Sequence, residues 1–369
     1  MTSHVDLRAT APARTGIGRI NLEIRQHMPP WRQALVLIGG LAAGLLIAAI
    51  VLMLAGVGPA ALYDEFVVSI FSSTLAVSAV LIQAAPLLIV GLSAVVAFRV
   101  RFWNIGIEGQ MIFGSIFATY VAITNIGPDW SRLALMLLAA AAGGMFWILI
   151  PTLLKLRLGI NEIISTLLLN YVAFDFLLHL LYGSWKDPKS AFPNSEQYDV
   201  IERLPLIGWE SVSYALPVAI VLAVLCWWLL NVSRFGFFTR FIDANPRMAL
   251  AIGIPLATAT LASALLSGAI SGVAGFVISA GIESRMTQSF FLGYGFSGIL
   301  IAFLARNNPL AAIAVALLVA VLFVAGQSLQ VFYQIPGAMV QLIQAIIVIC
   351  VAASEFFTRY RLRFVRGGG

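Results

Sequence analysis

The sequence predicts an all-α polytopic membrane protein of about ten transmembrane helices with both termini cytoplasmic. Three observations carry that expectation. Of 369 residues, 61% are hydrophobic and only 10% are charged, against roughly a quarter charged in soluble domains. Apolar runs near the length needed to cross a hydrocarbon core of about 30 Å recur along the whole chain. The basic residues fall in short groups between those runs, as in the cytoplasmic loops of membrane proteins.

Spans are expected at about 34–57, 78–98, 109–125, 132–154, 160–182, 214–231, 255–280, 291–305, 309–328 and 337–356. The stretch 291–305 is short and glycine-rich enough to be re-entrant. Between the first two spans, Asp64 and Glu65 alternate with apolar positions at helical spacing, which suggests a short interfacial helix. No long polar insertion interrupts the series. One membrane domain, 34–356, is therefore expected between a basic amino-terminal tail, 1–33, and a basic carboxy-terminal tail, 357–369. The amino-terminal tail lacks a hydrophobic core followed by a small-residue cleavage site, so it reads as cytoplasmic and not as a signal peptide.

The positive-inside rule tests this topology. With the amino terminus inside, seventeen of the 22 Lys and Arg residues fall on the inner side and five, Arg132, Lys186, Lys189, Arg203 and Arg285, on the outer. Both tails are then cytoplasmic, and the loop 184–213, with Pro188, Pro193, Pro205, Trp185 and Trp209, is outside and long enough to fold over the outer mouth. The net charge of +6 belongs to this pattern and does not indicate a nucleic-acid partner. Cys226 and Cys350 lie inside apolar segments and read as packed thiols. Small residues within spans, among them Gly39, Gly40, Gly44, Gly143, Gly144, Gly275 and the GxxxG pair Gly268 and Gly272, predict close helix contacts.

Catalytic chemistry finds no footing. None of the three lysines, Lys155, Lys186 and Lys189, follows a glycine, so there is no Walker A phosphate loop. His4, His27 and His179 are too scattered to make a metal site, and no metal or cofactor is expected in this chain. Three other stretches carry information.

The first is FWNIGIEGQ at residues 102–110. It sets Asn104, Glu108 and Gln110 between two apolar segments, where an ionisable group needs protein or water around it. Arg99 and Arg101 place its start at the inner surface. Glu108 is accordingly expected near the cytoplasmic end, fixing a helix start or an inner gate. The second is the inner loop 234–254, where Asn245 and Pro246 form an N-cap and first-turn signature and Gly253 a stop. The short helix between them carries Met248, Leu250, Ala251 and Ile252, which suit either a covering partner or the bilayer surface. The third is GINEIISTLLLNY at 159–171. It sets Asn161 and Glu162 at the inner end of a span and Asn170 higher up, while Tyr171 and Asp175, four apart, share a face. These polar groups either line a pathway or hydrogen-bond to neighbouring helices. Gln327, Gln330, Gln334, Gln341 and Gln344 are weaker pathway candidates.

Together, FWNIGIEGQ, GINEIISTLLLNY and the NPRMALAIGI segment resemble, in order and spacing, bacterial ABC importer permeases of the branched-chain amino acid and simple-sugar permease superfamily. The first two motifs are most similar to its nucleoside-uptake subgroup. The resemblance covers about 30–360. It implies an ABC importer permease fold in the bacterial inner membrane and a permease subunit that is not itself an enzyme. It also implies a second permease subunit as a heterodimer partner, a cytosolic ABC ATPase holding ATP and Mg, and an extracytoplasmic solute-binding protein. In such a system the segment 245–253 is the coupling helix, with Asn245, Pro246, Ala249 and Gly253 at the ATPase. Asn170, Tyr171, Asp175, Glu108 and Asn104 are the candidates for the solute pathway. Met248, Leu250 and Ile252 are bulkier than the usual pattern. The solute is expected to be a nucleoside, with a simple sugar as the alternative. An ion-coupled secondary transporter using Glu108, Glu162 and Asp175 is the rival of another class.

Overall fold

Helix starts follow the capping residues. Ser73 accepts a hydrogen bond from the amide of Ala76 at 3.1 Å, and Asn161 accepts one from Ile163 at 2.8 Å. Asn308 caps Leu310 at 3.1 Å ahead of Pro309. Each side chain satisfies an amide that the first helical turn leaves without an internal acceptor.

The computed structural model describes residues 19–24, 28–288 and 293–365. The expected tail residues 1–18, 25–27 and 366–369, and positions 291–292 of the expected span 291–305, lie outside the described residues. The helices are α1 (Pro30–Leu54), α2 (Pro59–Tyr63), α3 (Ser69–Phe71), α4 (Thr74–Phe98), α5 (Ile107–Ile123), α6 (Asp129–Leu158) and α7 (Glu162–Tyr182). They continue as α8 (Ala215–Asn231), α9 (Arg234–Ala244), α10 (Pro246–Ala251), α11 (Leu256–Ile278), α12 (Tyr294–Leu304), α13 (Pro309–Tyr333) and α14 (Gly337–Arg359). A π-helical turn, Asp64–Val68, joins α2 to α3, so the expected short helix there is present.

The described residues fall into two compact units, those within 1–48 and 346–369 and those within 49–345. In the first, strands β1 (Arg19–Ile24) and β2 (Tyr360–Val365) pair antiparallel, with Arg19 opposite Val365. Gly40 and Gly44 of α1 lie against Ser354, Cys350 and Ile347 of α14.

The second unit is built around α4, in which every residue of 84–98 is buried. Helices α8, α11, α12 and α13 pack on it, and α5 and α6 pack on α11. Lipid offers no hydrophobic drive between helices, so close backbone approach has to supply the packing energy. Glycines permit it here: Gly144 faces Gly268 and Gly272, Gly114 faces Gly272, and Gly275 faces the carbonyl of Met111. A Cβ at Gly272 would meet the Ala140 carbonyl oxygen.

Each of the ten expected spans falls on a helix. Among the described residues seven are long and apolar enough to cross a membrane, eight when α8 and α9, bent by 69°, count as one. Two do not reach that length. Helix α5 has 17 residues, and α12, with 11, rises about 16 Å, only half a hydrocarbon core. The described part of the stretch 291–305, expected to be short enough for a re-entrant segment, is thus a half-length helix. It starts at Gly293 in left-handed conformation (φ 78°).

The two ends of the second unit differ. One carries Arg99, Arg101, α9 and α10 and is called the basic end. The other carries residues 183–214 and is called the loop end. That loop is strapped down: the amides of Ser195, Tyr198 and Leu204 donate to the carbonyls of Met286, Ser284 and Ala280. Glu202 meets Arg132 at 3.2 Å with both side chains buried. Tyr198 is hydrogen-bonded to Thr119, and burial pushes its phenol up to about 12, so it stays neutral across the physiological range.

Candidate functional site

The segment 102–106 does not run along the membrane surface; it dips into the bundle. Phe102 and Asn104 are fully buried, and Asn104 Nδ2 donates to Ser267 Oγ on α11 at 3.0 Å. Ser267 lies eleven residues into α11, about 16 Å from the basic end. Helix α5 therefore begins at mid-depth. Expected to fix a helix start near the cytoplasmic end, Glu108 does lie in the first turn of α5, but deeper in the bundle than Arg99 and Arg101, which mark where the chain enters and not where the helix starts.

Two sequence motifs turn out to interlock. Asn104 and Gln110 exchange amide hydrogen bonds at 3.0 and 2.8 Å, and the amide of Gly106 donates to Asn104 Oδ1 at 3.1 Å. From α7, Asn170 Oδ1 accepts from the amide of Gly109 and its Nδ2 donates to the carbonyl of Ile105, both at 2.9 Å. Thr166 Oγ1 accepts from the amide of Ile105 at 3.3 Å, and Glu162 pairs with Lys155. The glycines are what let α7 and α6 approach. A Cβ at Gly109 would come within 2.7 Å of Trp147 Nε1 and 3.0 Å of Asn170 Oδ1. Asn104 and Asn170, expected along the pathway, are buried with their amides engaged, so in this conformation they brace the start of α5.

Serines extend this network, and the sequence reading passed over them. Ser93 of α4 bonds Ser267 and Ser271 at 2.9 and 2.6 Å. The signal was present as Ser263, Ser267 and Ser271, spaced by four along α11.

Glu108 is the exception among these groups. It is 4% exposed, and neither carboxylate oxygen makes a hydrogen bond of good geometry. The backbone amides of Gly295 and Gly293, in the opening turn of α12, face it. A Cβ at Gly295 would lie 2.5 Å from Glu108 Cγ. Two helices thus begin at the same depth, with one carboxylate between them, and the positive end of the α12 dipole favours its charge.

Tyr171 and Asp175 lie elsewhere. Tyr171 is 58% exposed, and Asp175 and His179 are also exposed, forming a polar stripe on the outer face of α7. Asp175 is thirteen residues into α7, about 20 Å along it. A carboxylate at that depth is costly unless protein or water covers it.

At the basic end, Asn245 caps α10 by accepting from the amides of Arg247 and Met248 at 3.0 and 3.3 Å, and Pro246 occupies the first position. Gly253 ends the segment at φ 84° with open space around it, a conformation that favours glycine. Met248, Leu250 and Ile252 are 49%, 56% and 55% exposed, whereas Ala249 is fully buried. Ala249 therefore seats the helix on the bundle and leaves its larger neighbours to face outward. Arg101 donates to the carbonyls of Asp243 and Ala244, which ties the C-terminus of α9 to the dipping segment.

Membrane-length helices, two further helices that start inside the bundle, and polar groups held between them define a multi-pass membrane protein. The family described as branched-chain amino acid transport system / permease component matches residues 76–352, and the chain belongs to that family. A glucose ABC transporter permease protein of Haloferax volcanii is 33% identical over 354 residues, covering 93% of each chain. A guanosine ABC transporter permease protein of Bacillus subtilis is 30% identical over 338 residues, covering 90% of this chain and 94% of its own. A second guanosine permease protein of the same organism is 28% identical over 273 residues, covering 71% and 85%. The chain is a permease subunit of an ABC transporter and a multi-pass protein of the inner (plasma) membrane. It is not itself an enzyme, since ATP hydrolysis belongs to a separate ATPase subunit. Membership implies an ATPase and a binding protein as partners.

Proposed function

We propose that this permease imports a small polar solute, a nucleoside in the first place, as one half of a permease heterodimer. The basic end and both tails face the cytoplasm. ATP and Mg are held by the ATPase, and an extracytoplasmic binding protein delivers solute at the loop end. The observation that carries the coupling role is α10: a capped helix seated through Ala249, with Met248, Leu250 and Ile252 bare beside it. The ATPase covers those side chains. Its movement reaches Arg101 through the carbonyls of Asp243 and Ala244, then the dipping segment, and so the break between α5 and α12 at Glu108. Tyr171 and Asp175 face the pathway, which the second permease closes; two guanosine permease proteins in one organism support such a pair.

The test is Leu250→Asp, which changes the exposed side chain without touching the seat. ATP-driven uptake should fall at least tenfold while the chain remains in the membrane at its usual level. Undiminished uptake would remove α10 from coupling. A simple sugar is the second reading, favoured by the glucose permease relative, and competition between labelled guanosine and glucose separates the two. Uptake that follows an ion gradient without ATP would favour the secondary-transporter rival.

A further inference from the structure

The last two helices each carry a pair of glutamines three residues apart, Gln327 with Gln330 on α13 and Gln341 with Gln344 on α14. That spacing puts each pair on one helix face. The faces meet, and between them is a cavity of about 130 Å³ whose lining includes all four amides and Phe323. Gln327 lies eighteen residues into α13, about 27 Å from the basic end, so the cavity is near the loop end.

Its surroundings connect it to the break between the half-length helices. Ser297 of α12 donates to Gln344 Oε1 at 3.3 Å. Gly293 lies beside Gln341, with an added Cβ 3.9 Å from Nε2. Tyr294 stacks on Phe323 at 5.3 Å and donates to Gln83 at 2.7 Å. The opening turn of α12 therefore has this cavity on one side and Glu108 on the other. Among the described residues, Gln327, Gln330 and Gln341 show no hydrogen bond that would occupy their amides.

We infer that the glutamine-lined cavity between α13 and α14 binds the hydroxylated ring of the transported solute, on its way from the loop end to the break at Glu108. The chemistry selects the class. Each carboxamide offers two donors and an acceptor, which suits neutral hydroxyls that both give and take hydrogen bonds. Among the described residues no ionisable side chain lines the cavity, so a charged solute would lose water without gaining a counter-charge, and an apolar one would strand the amides. The volume of about 130 Å³ is several times what one water needs, which gives room for a single ring. A pentose or hexose ring is what guanosine and glucose have in common. The inference rests on the permease reading above.

The experiment uses the assembled transporter, with its second permease, ATPase and binding protein, in proteoliposomes, and labelled guanosine and glucose as probes. Gln341→Leu and Gln327→Leu should each raise KM about tenfold, as expected for one lost hydrogen-bonding group of about 1.4 kcal/mol. The milder Gln341→Asn should give an intermediate KM. Val331→Leu, on α13 but exposed and outside the cavity, should behave as wild type. A KM within twofold of wild type for Gln341→Leu, or an equal rise for Val331→Leu, overturns the site. In a second measurement, a cysteine placed by Gln341→Cys should be protected from an impermeant maleimide by saturating guanosine or glucose; absence of protection by both also overturns it. Uptake without ATP that retains the Gln341→Leu effect would overturn the ATP-driven reading and leave the cavity standing.

Discussion

The two faces of α7 carry polar residues of similar kind in opposite circumstances. On one, Glu162, Thr166 and Asn170 recur every four residues, are buried, and hold the dipping segment and the start of α5. On the other, Tyr171, Asp175 and His179 recur at the same spacing and are exposed. Asn170 and Tyr171 are neighbours in sequence, yet about 100° of helix rotation separates a brace from an open surface. Polar residues in a membrane helix thus do two jobs. Saturated ones fix the bundle, and unsaturated ones await a partner, water or solute.

Breaking the brace should have the largest effect. Asn170→Leu leaves the Gly109 amide and the Ile105 carbonyl buried without that partner, at about 1–3 kcal/mol for each group. The purified chain should melt several degrees lower, and uptake should be lost with the fold. An unchanged melting temperature would mean that the interlock between the two motifs is incidental.

The opposite face should respond in the opposite way. Asp175→Leu removes an exposed charge that no hydrogen bond or ion pair holds among the described residues, so thermal stability of the isolated subunit should hold while uptake by the assembled transporter falls about tenfold or more. Full uptake with improved stability would show that Asp175 faces lipid, and the division of α7 into a bracing and a working face would fail.

Much of the fold could be read in advance, because span length and capping chemistry are local properties. All ten expected spans fall on helices, although among the described residues only seven, or eight with α8 and α9 as one, are long enough to cross a membrane, and Asn245 with Pro246 marks a helix start. Depth could not be read so. Arg99 and Arg101 report where the chain leaves the surface, but the descent of residues 102–106 depends on Ser267 and Asn170, more than 60 residues away along the chain. The same limit applies to Ala249, whose burial depends on what α10 packs against, and to the glutamine pairs, whose significance lies in two helices facing each other. The stripe Tyr171 and Asp175 was visible by spacing, but its separation from Asn170 required the partner of each face.

The smallest effect distinguishes a network from a set of independent bonds. Ser267 accepts from Asn104 at 3.0 Å and shares a bond with Ser93 at 2.9 Å, while Asn104 keeps its exchange with Gln110 when Ser267 is gone. If the bonds act separately, Ser267→Ala costs about 1 kcal/mol, lowers the melting temperature by a few degrees and leaves uptake intact. If they polarise one another, the loss at Ser267 should approach that of Asn170→Leu, and the double variant should cost less than the sum of the two. The double-mutant cycle therefore measures whether the brace on α7 and the serine stripe on α11 hold the start of α5 as one unit. A fully additive result would confine the bracing role to α7.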